Sequence, residues 1–258
     1  MSYRIGSLNL LKKHPESRDP RNFHDFLSRM IADEGLDIVA FQEVSEVYGK
    51  DEIDVICRNL PSWWKGDYVS GSEFAFIWNS ERVEMHSTTS FPEERMARKP
   101  LYGRFSPKGL GPNSEFRLID IHIVHGGDDN QIHIALRKAE CNLVKGEIYR
   151  TVDVSRYGDS YGTFTVFTVV LGDYNLDCDE CNSCGPRDVQ TFQEEKTTLK
   201  MTEGYYNSYD HFSFNVAKNS SIPYTVSRIE AINRYFNGDF TRYRENVSDH
   251  APVKLKIF

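Results

Sequence analysis

Short apolar runs that end abruptly in a polar side chain recur along this chain. Ile5 to Leu10 reads as a strand finishing near Asn9, and Leu36 to Phe41 (LDIVAF) as a buried strand followed by Gln42-Glu43. Phe116 to Val124 (FRLIDIHIV) alternates with a period of two and meets His125-Gly126-Gly127. Phe164 to Leu171 (FTVFTVVL) is β-branched and aromatic almost throughout, then gives way to Gly172-Asp173-Tyr174-Asn175. Runs of this length and composition are those of strands covered on both faces. Phe74 to Trp78 (FAFIW) is a further strand, and Arg82 to His86 is expected to turn back beside it. Ala251 to Phe258 (APVKLKIF) closes the chain as a last one.

Helical spacing appears between these runs. Asp19 is placed to cap a helix with Pro20 at its first position and Gly35 at its end, and Phe23, Phe26, Leu27, Met30 and Ile31 form its apolar stripe. Asp51 to Leu60 reads as a short helix, and Gln131 to Tyr149 as one long amphipathic helix carrying Ile132, Leu136, Ala139, Leu143 and Ile148. From Tyr205 onward the pattern is mostly short strands and turns. Strands that recur in pairs, with helices between, fit a sheet-on-sheet core flanked by helices better than a purely parallel doubly wound sheet. No repeat or low-complexity linker divides residues 1–258, so one domain is expected.

Composition narrows the function. Apolar residues make up 39% and aromatics 13%, enough for a sizeable core, and no apolar run reaches the length of a membrane span. The opening MSYRIGSLNLLKK lacks the basic-then-apolar stretch of a secretory signal, which predicts a cytoplasmic chain unless a leader has been removed. A net charge of -7 excludes a basic protein that coats duplex nucleic acid. It still allows an enzyme that touches phosphates locally with the help of a metal ion. Three of the five cysteines share the run Cys178-Asp-Glu-Cys181-Asn-Ser-Cys184. With no fourth ligand nearby, Cys141 being far off in sequence, ordinary loop cysteines are the better reading than a structural metal site.

Asn9, Glu43, His122 with His125, Asp173 with Asn175, and Asp249-His250 all stand at or near strand ends. Each has a plain explanation. Asn9 suits a turn, Glu43 a helix start, His122 a satisfied core position, and Asp173 and Asn175 an Asx turn. Five such coincidences at the ends of core strands are much less probable than one, so the set points to catalysis.

The blocks Ser7-Leu8-Asn9-Leu10, Phe41-Gln42-Glu43-Val44, Gly172-Asp173-Tyr174-Asn175-Leu176-Asp177 and Ser248-Asp249-His250-Ala251-Pro252-Val253 occur in this order. Together they resemble the signature blocks of the endonuclease/exonuclease/phosphatase superfamily, whose members resemble deoxyribonuclease I. Tyr209-Asp210-His211-Phe212 is similar to that family's Asp-bearing strand, and Arg98-Lys99-Pro100 to its Arg-x-Pro segment.

The resemblance implies a four-layer α/β sandwich, two mixed β-sheets packed face to face between helices. It implies a divalent-metal-dependent phosphodiesterase, foremost a nuclease acting on DNA or RNA, with a phosphatase or phospholipid phosphodiesterase, or a non-catalytic toxin-like binding protein, as alternatives on the same fold. Glu43, with Asn9 and Asp249, resembles the metal-binding set, and such oxygen ligands suit Mg²⁺ or Mn²⁺. Asp173 and Asn175 resemble the pair that positions water and phosphate, and His250 the histidine that Asp210 orients. His122, preferred over His125 from strand register, resembles the histidine that contacts the phosphate or the leaving oxygen. Arg98 would lie near the phosphate or the metal-ligand network.

Several neighbours stay open. A carboxylate should pair with His122, and Glu73 is the natural candidate or an exposed loop charge. His211 is expected to face away from the site. The stretch HIVHGGDD resembles the histidine-Gly-Gly turn of bacterial genotoxin subunits. Glu93 to Lys108 supplies five cations, either a solvated loop or a phosphate grip, and Trp63-Trp64 is a core anchor before it is a base-stacking pair.

Overall fold

The computed structural model describes residues 2–12, 19–109, 114–126, 130–155, 165–200 and 204–258. The strands run, in chain order, β1 (Tyr3–Asn9), β2 (Ile38–Gln42), β3 (Trp64–Tyr68), β4 (Ala75–Asn79), β5 (Val83–Ser90) and β6 (Leu101–Pro107). The second half adds β7 (Ser114–His122), β8 (Thr165–Asp173), β9 (Val189–Phe192), β10 (Asp210–Asn215), β11 (Tyr224–Arg228) and β12 (Val253–Ile257). The helices are α1 (Pro20–Glu34), α2 (Gly49–Arg58), α3 (Gln131–Leu143), α4 (Tyr149–Val154), α5 (Cys178–Ser183), α6 (Ala231–Phe236) and α7 (Phe240–Asn246).

Among the described residues these strands form two mixed six-stranded sheets, ordered β11-β12-β1-β2-β4-β3 and β5-β6-β7-β8-β10-β9. The alternation read from the sequence explains how they stack. Ile5, Ile38, Ala40, Phe76, Val253 and Leu255 of the first sheet share one buried cluster with Phe105, Leu118, Val169, Leu171, Phe212 and Phe214 of the second. The opposite faces are covered by helices. Phe26, Leu27, Ile53, Ile56 and Ile232 close over the first sheet, while Cys141, Val144, Ile148, Tyr149 and Cys181 close over the second. The result is the four-layer sandwich that the resemblance implied.

Each sheet holds one parallel pair at its centre, β1 beside β2 and β7 beside β8. In the first pair Asn9 stands opposite Gln42, and in the second His122 stands opposite Asp173. The neighbouring strands β4, β10 and β12 run antiparallel to these pairs, so they begin where the pairs end. Glu73, Asp210 and His250, which precede or start those strands, are therefore brought to the same edge as Asn9, Glu43, His122 and Asp173. Sites at the carboxyl ends of parallel strands are a general feature of α/β sheets.

Some local expectations need correction. Arg82 to His86 does not turn back beside β4, because β5 crosses into the second sheet and pairs with β6, with a bulge between Met85 and Ser87. The long helix over 131–149 is three pieces, α3, a π-helical turn at Val144–Ile148 and α4. The segment after Tyr205 contains α6 and α7, short helices separated by a left-handed Asn237 and Gly238. Cys178 and Cys181 are buried on α5 rather than in a loop, whereas Cys184, also buried, follows the helix in a bend; all three are free thiols. Trp64 is buried at the start of β3, whereas Trp63 is 39% exposed, so only one of the pair anchors the core. The start of the predicted strand at Phe164, and Gly127 of the turn after His125, lie outside the described residues. Among those residues, no helix is long and apolar enough to cross a membrane.

Candidate active site

The strand β8 reaches the site because residue 172 is glycine. Its φ is +129°, and a β-carbon there would lie 2.1 Å from the carbonyl oxygen of Ile121 on the neighbouring β7. No side chain fits, so only glycine lets the strands stay paired up to the His122–Asp173 position.

Asp173 then divides its two oxygens. Oδ1 accepts the backbone N–H of Asn175 at 2.9 Å, closing the Asx turn that the sequence allowed. Oδ2 faces the opposite sheet and accepts the Asn9 amide N–H at 3.1 Å. The turn thus occupies one oxygen and leaves the other directed at Asn9 of the facing sheet.

Two imidazoles meet the same Oδ2. His122 Nε2 lies 3.7 Å from it and 3.6 Å from Glu43 Oε1, and His250 Nε2 lies 3.6 Å from it. Each ring is fixed from behind through Nδ1: His122 on Glu73 Oε1 and His250 on Asp210 Oδ2, both at 2.8 Å. A carboxylate behind an imidazole sets ring orientation and tautomer. Glu73, open between partner and loop charge at the sequence level, is thus the partner of His122, and it is 5% exposed.

The two supporting carboxylates differ. Glu73 also takes Arg98 Nε at 2.5 Å and the Lys12 ammonium. Burial pushes its pKa up, but His122, Lys12 and Arg98 outweigh that and hold it below the usual carboxyl value. Among the described residues no Lys or Arg pairs with Asp210, whose charge partner is His250 itself, and its Oδ1 is buried without a hydrogen-bond partner. Burial of the His250 ring opposes its protonation. The surrounding carboxylates Asp210, Asp173 and Asp249 more than offset that, and its pKa stands well above the usual imidazole value.

Backbone strain concentrates here. Of the non-glycine residues with positive φ, Leu11, Lys12, Glu43 (+54°) and Asn175 (+48°) all belong to the loops at this edge. Left-handed conformations at non-glycine positions persist where surrounding contacts hold them, commonly at functional sites. Asn175 is held by its amide N–H donating to Ile123 O at 2.8 Å, with Oδ1 3.1 Å from His125 Nδ1. His125 therefore lines the site through Asn175, and His122 occupies the centre, as register suggested. His211 points away, bonded to Gln193 O and Leu176 O at 2.9 Å each.

Among the described residues, no three His, Cys, Asp or Glu side chains converge as a ready-made metal cage. The oxygen donors present still suit a hard cation that keeps much of its own water. Glu43 Oε1 accepts from Asn9 at 3.1 Å, and Asp249 Oδ1 is buried without a hydrogen-bond partner. Asn9 presents its NH₂ to the carboxylates while its oxygen accepts Leu11 N at 2.9 Å, so it would ligate only after its amide turns over. Asp249 is also approached by Arg244, at 3.6 Å.

The sequence reading passed over Lys12 and a polar bridge beneath the site. Gln42 Nε2 donates to Asp120 Oδ1 at 2.6 Å and to Ser7 Oγ at 3.1 Å, tying β2 and β1 of one sheet to β7 of the other. Asp120 is fully buried, which drives its pKa well up, and its Oδ2 has no partner. A charged residue in the middle of FRLIDIHIV was the available signal.

By sequence, no family model matches this chain and no curated protein matches it significantly. By structure the likeness is extensive. An endonuclease/exonuclease/phosphatase family protein from Bacteroides thetaiotaomicron superposes with a TM-score of 0.69 at 14% identity, over 100% of this chain and 97% of that one. D. rerio TDP2, crystallised with a single strand DNA product, gives 0.68 at 16% identity over 100% and 99%. ANGEL2, described as a 2′,3′-cyclic phosphatase and bound to adenosine-2′,3′-vanadate, gives 0.66 at 13% identity over 100% and 95%. Two face-to-face mixed sheets between helices are thus shared along the full length, and the chain has the fold of the endonuclease/exonuclease/phosphatase superfamily.

Proposed function

We propose that this protein is a divalent-metal-dependent phosphodiesterase that hydrolyses nucleic-acid strands, DNA foremost. The observation that carries this reading is the convergence of two carboxylate-backed imidazoles on Asp173 Oδ2. Phosphodiester hydrolysis needs a water oriented for attack and donors for the charge that develops on the phosphoryl and leaving oxygens. His250 Nε2 and Asp173 Oδ2 would flank that water, and the proton it loses as the new P–O bond forms passes to this pair. His122 and Asn175 would hold the phosphoryl oxygens, His122 nearest the leaving oxygen. Mg²⁺ or Mn²⁺, held by Glu43 and Asp249 with Asn9 beside them, would supply positive charge for the same oxygens.

The single strand DNA product bound by TDP2 supports a nucleic-acid substrate on this fold. ANGEL2 supports a second reading, a phosphatase, at a comparable TM-score. A panel of supercoiled plasmid, single-stranded DNA, RNA, a 2′,3′-cyclic nucleotide and a phosphomonoester, each with Mg²⁺ or EDTA, separates the two. Metal-dependent cleavage of a strand supports the first reading. Turnover of only the cyclic nucleotide or the monoester replaces it with the second.

A further inference from the structure

We propose that Glu140, on the helix layer behind the second sheet, is a positioning residue for the reaction: its carboxylate holds two loops of the catalytic edge in register with one another. The inference rests on the phosphodiesterase reading and extends it to a residue that touches no substrate.

Helix α3 buries charge where its sequence pattern predicts apolar side chains. Ile132 and Leu136, expected in its apolar stripe, are 71% and 49% exposed. The face it buries carries Arg137, Glu140 and Cys141 instead. Burying charged groups while apolar ones stay in water is unfavourable unless the charges are well bonded. Such a break in the hydrophobic pattern is expected chiefly where function demands it.

Both charges go to backbone at the site edge. Glu140 Oε2 accepts Val124 N at 2.9 Å, and Oε1 accepts Ala97 N at 2.7 Å. Arg137, one turn earlier, donates to His125 O from Nε at 2.8 Å and from Nη2 at 2.5 Å. Val124 lies between the two residues that fix Asn175. Ile123 O accepts the Asn175 amide, and His125 Nδ1 meets Asn175 Oδ1. Ala97 precedes Arg98, which pairs with Glu73, the carboxylate behind His122. One buried carboxylate thus stands behind both groups assigned to the phosphoryl oxygens, Asn175 through Val124 and His122 through Ala97.

The test is steady-state kinetics with Mg²⁺ on whichever substrate of the panel above the wild type turns over fastest. The proteins are wild type, Glu140→Gln, Arg98→Ala, Asn175→Ala and the two double variants that contain Glu140→Gln. Glutamine keeps the shape of Glu140 but sets its own N–H₂ against one of the two backbone N–H groups, so the clamp opens at one end. Val83→Ala controls for lost stability alone, because Val83 is buried opposite Pro107, at the end of β5 and β6 away from the site. In Glu140→Gln kcat should fall about 10- to 100-fold with KM changed less than about threefold, while folded Val83→Ala keeps the wild-type kcat. Adding Glu140→Gln to Arg98→Ala or to Asn175→Ala should cause a clearly smaller loss than in the wild type, because a group it positions is already gone. If Glu140→Gln does not fold, Glu140→Asp, with both oxygens on a shorter arm, takes its place under the same expectations. A kcat within about twofold of Val83→Ala, or losses that multiply fully in both double variants, would leave Glu140 a structural residue only and overturn the inference. Wild type that turns over no member of the panel would instead overturn the phosphodiesterase reading, and this inference with it.

Discussion

His122 and His250 come from different sheets, yet their Nε2 atoms stand 3.7 and 3.6 Å from one oxygen, Oδ2 of Asp173. Each imidazole is backed at 2.8 Å by a carboxylate from a third or fourth segment, Glu73 before β4 and Asp210 at the start of β10. The arrangement is symmetric in geometry and asymmetric in charge. Glu73 carries Lys12 and Arg98 besides its histidine, while among the described residues no Lys or Arg pairs with Asp210. The sandwich closes on Asp173, and its chemistry should fail first where that closure is broken.

Asp173→Ala and His250→Ala should each lower kcat by roughly two to four orders of magnitude while the far-UV circular dichroism spectrum keeps its native shape. Because both imidazoles address one oxygen, the double variant His122→Ala/His250→Ala should lose much less than the product of the single losses. Steady-state kinetics on the four proteins measures this, and independent multiplicative effects would show that the two rings do not act as a unit.

Gly172→Ala should destabilise the protein by more than about 1 kcal/mol, since alanine is strained at positive φ and would press on the Ile121 carbonyl. A urea titration reads the change in midpoint. Wild-type stability in this variant would mean that β7 and β8 separate near the site more easily than their register implies.

Burial raises the Asp120 pKa well above the usual carboxyl value and so favours the neutral acid as the acceptor for Gln42 inside the sandwich. Asp120→Asn keeps the acceptor oxygen and should leave stability nearly unchanged. Asp120→Leu strands the buried Gln42 amide and should cost about 1–3 kcal/mol. If Asn proves as damaging as Leu, the residue is needed as an anion.

Glu115 lies between Arg104, at 2.9 Å, and Arg117, at 3.0 Å. Burial raises its pKa, but the two guanidinium groups prevail and hold it below the ordinary value of 4.5. Its contribution to stability is therefore complete above about pH 4.5 and is lost as pH falls through the lower, folded value. Glu115→Gln should destabilise at neutral pH, and the gap from wild type should narrow as the pH drops below that point. Denaturation curves across this range check the sign, and a gap that widens in acid would contradict it.

Much of the site was legible because its residues terminate strands whose apolar patterning is strong. Asn9, Glu43, His122, Asp173 and His250 follow from IGSLNL, LDIVAF, FRLIDIHIV, FTVVLGDYNLD and SDHAPV, where buried runs fix the register and register fixes the edge. Glu73 was ambiguous because a carboxylate ahead of FAFIW reads equally as a loop charge until the antiparallel pairing of β4 brings it to His122. Lys12 was missed because its role depends on left-handed backbone at Leu11 and Lys12, which no local pattern announces. β5 was misplaced because its residues pair across the sandwich with β6, and sequence neighbours gave no hint of the crossing. The cysteines looked like loop residues because four polar residues separate them, though their own side chains are buried.

The most direct test of the central claim is the rate at which supercoiled plasmid is nicked by wild type and by His250→Ala in Mg²⁺, with EDTA added and then reversed by excess metal. Nicking by the wild type that stops in EDTA, returns with Mg²⁺ and is nearly absent in a folded His250→Ala variant is the predicted result. Nicking that persists in either the EDTA-treated enzyme or the His250→Ala variant would contradict a metal- and histidine-dependent phosphodiesterase centred on Asp173.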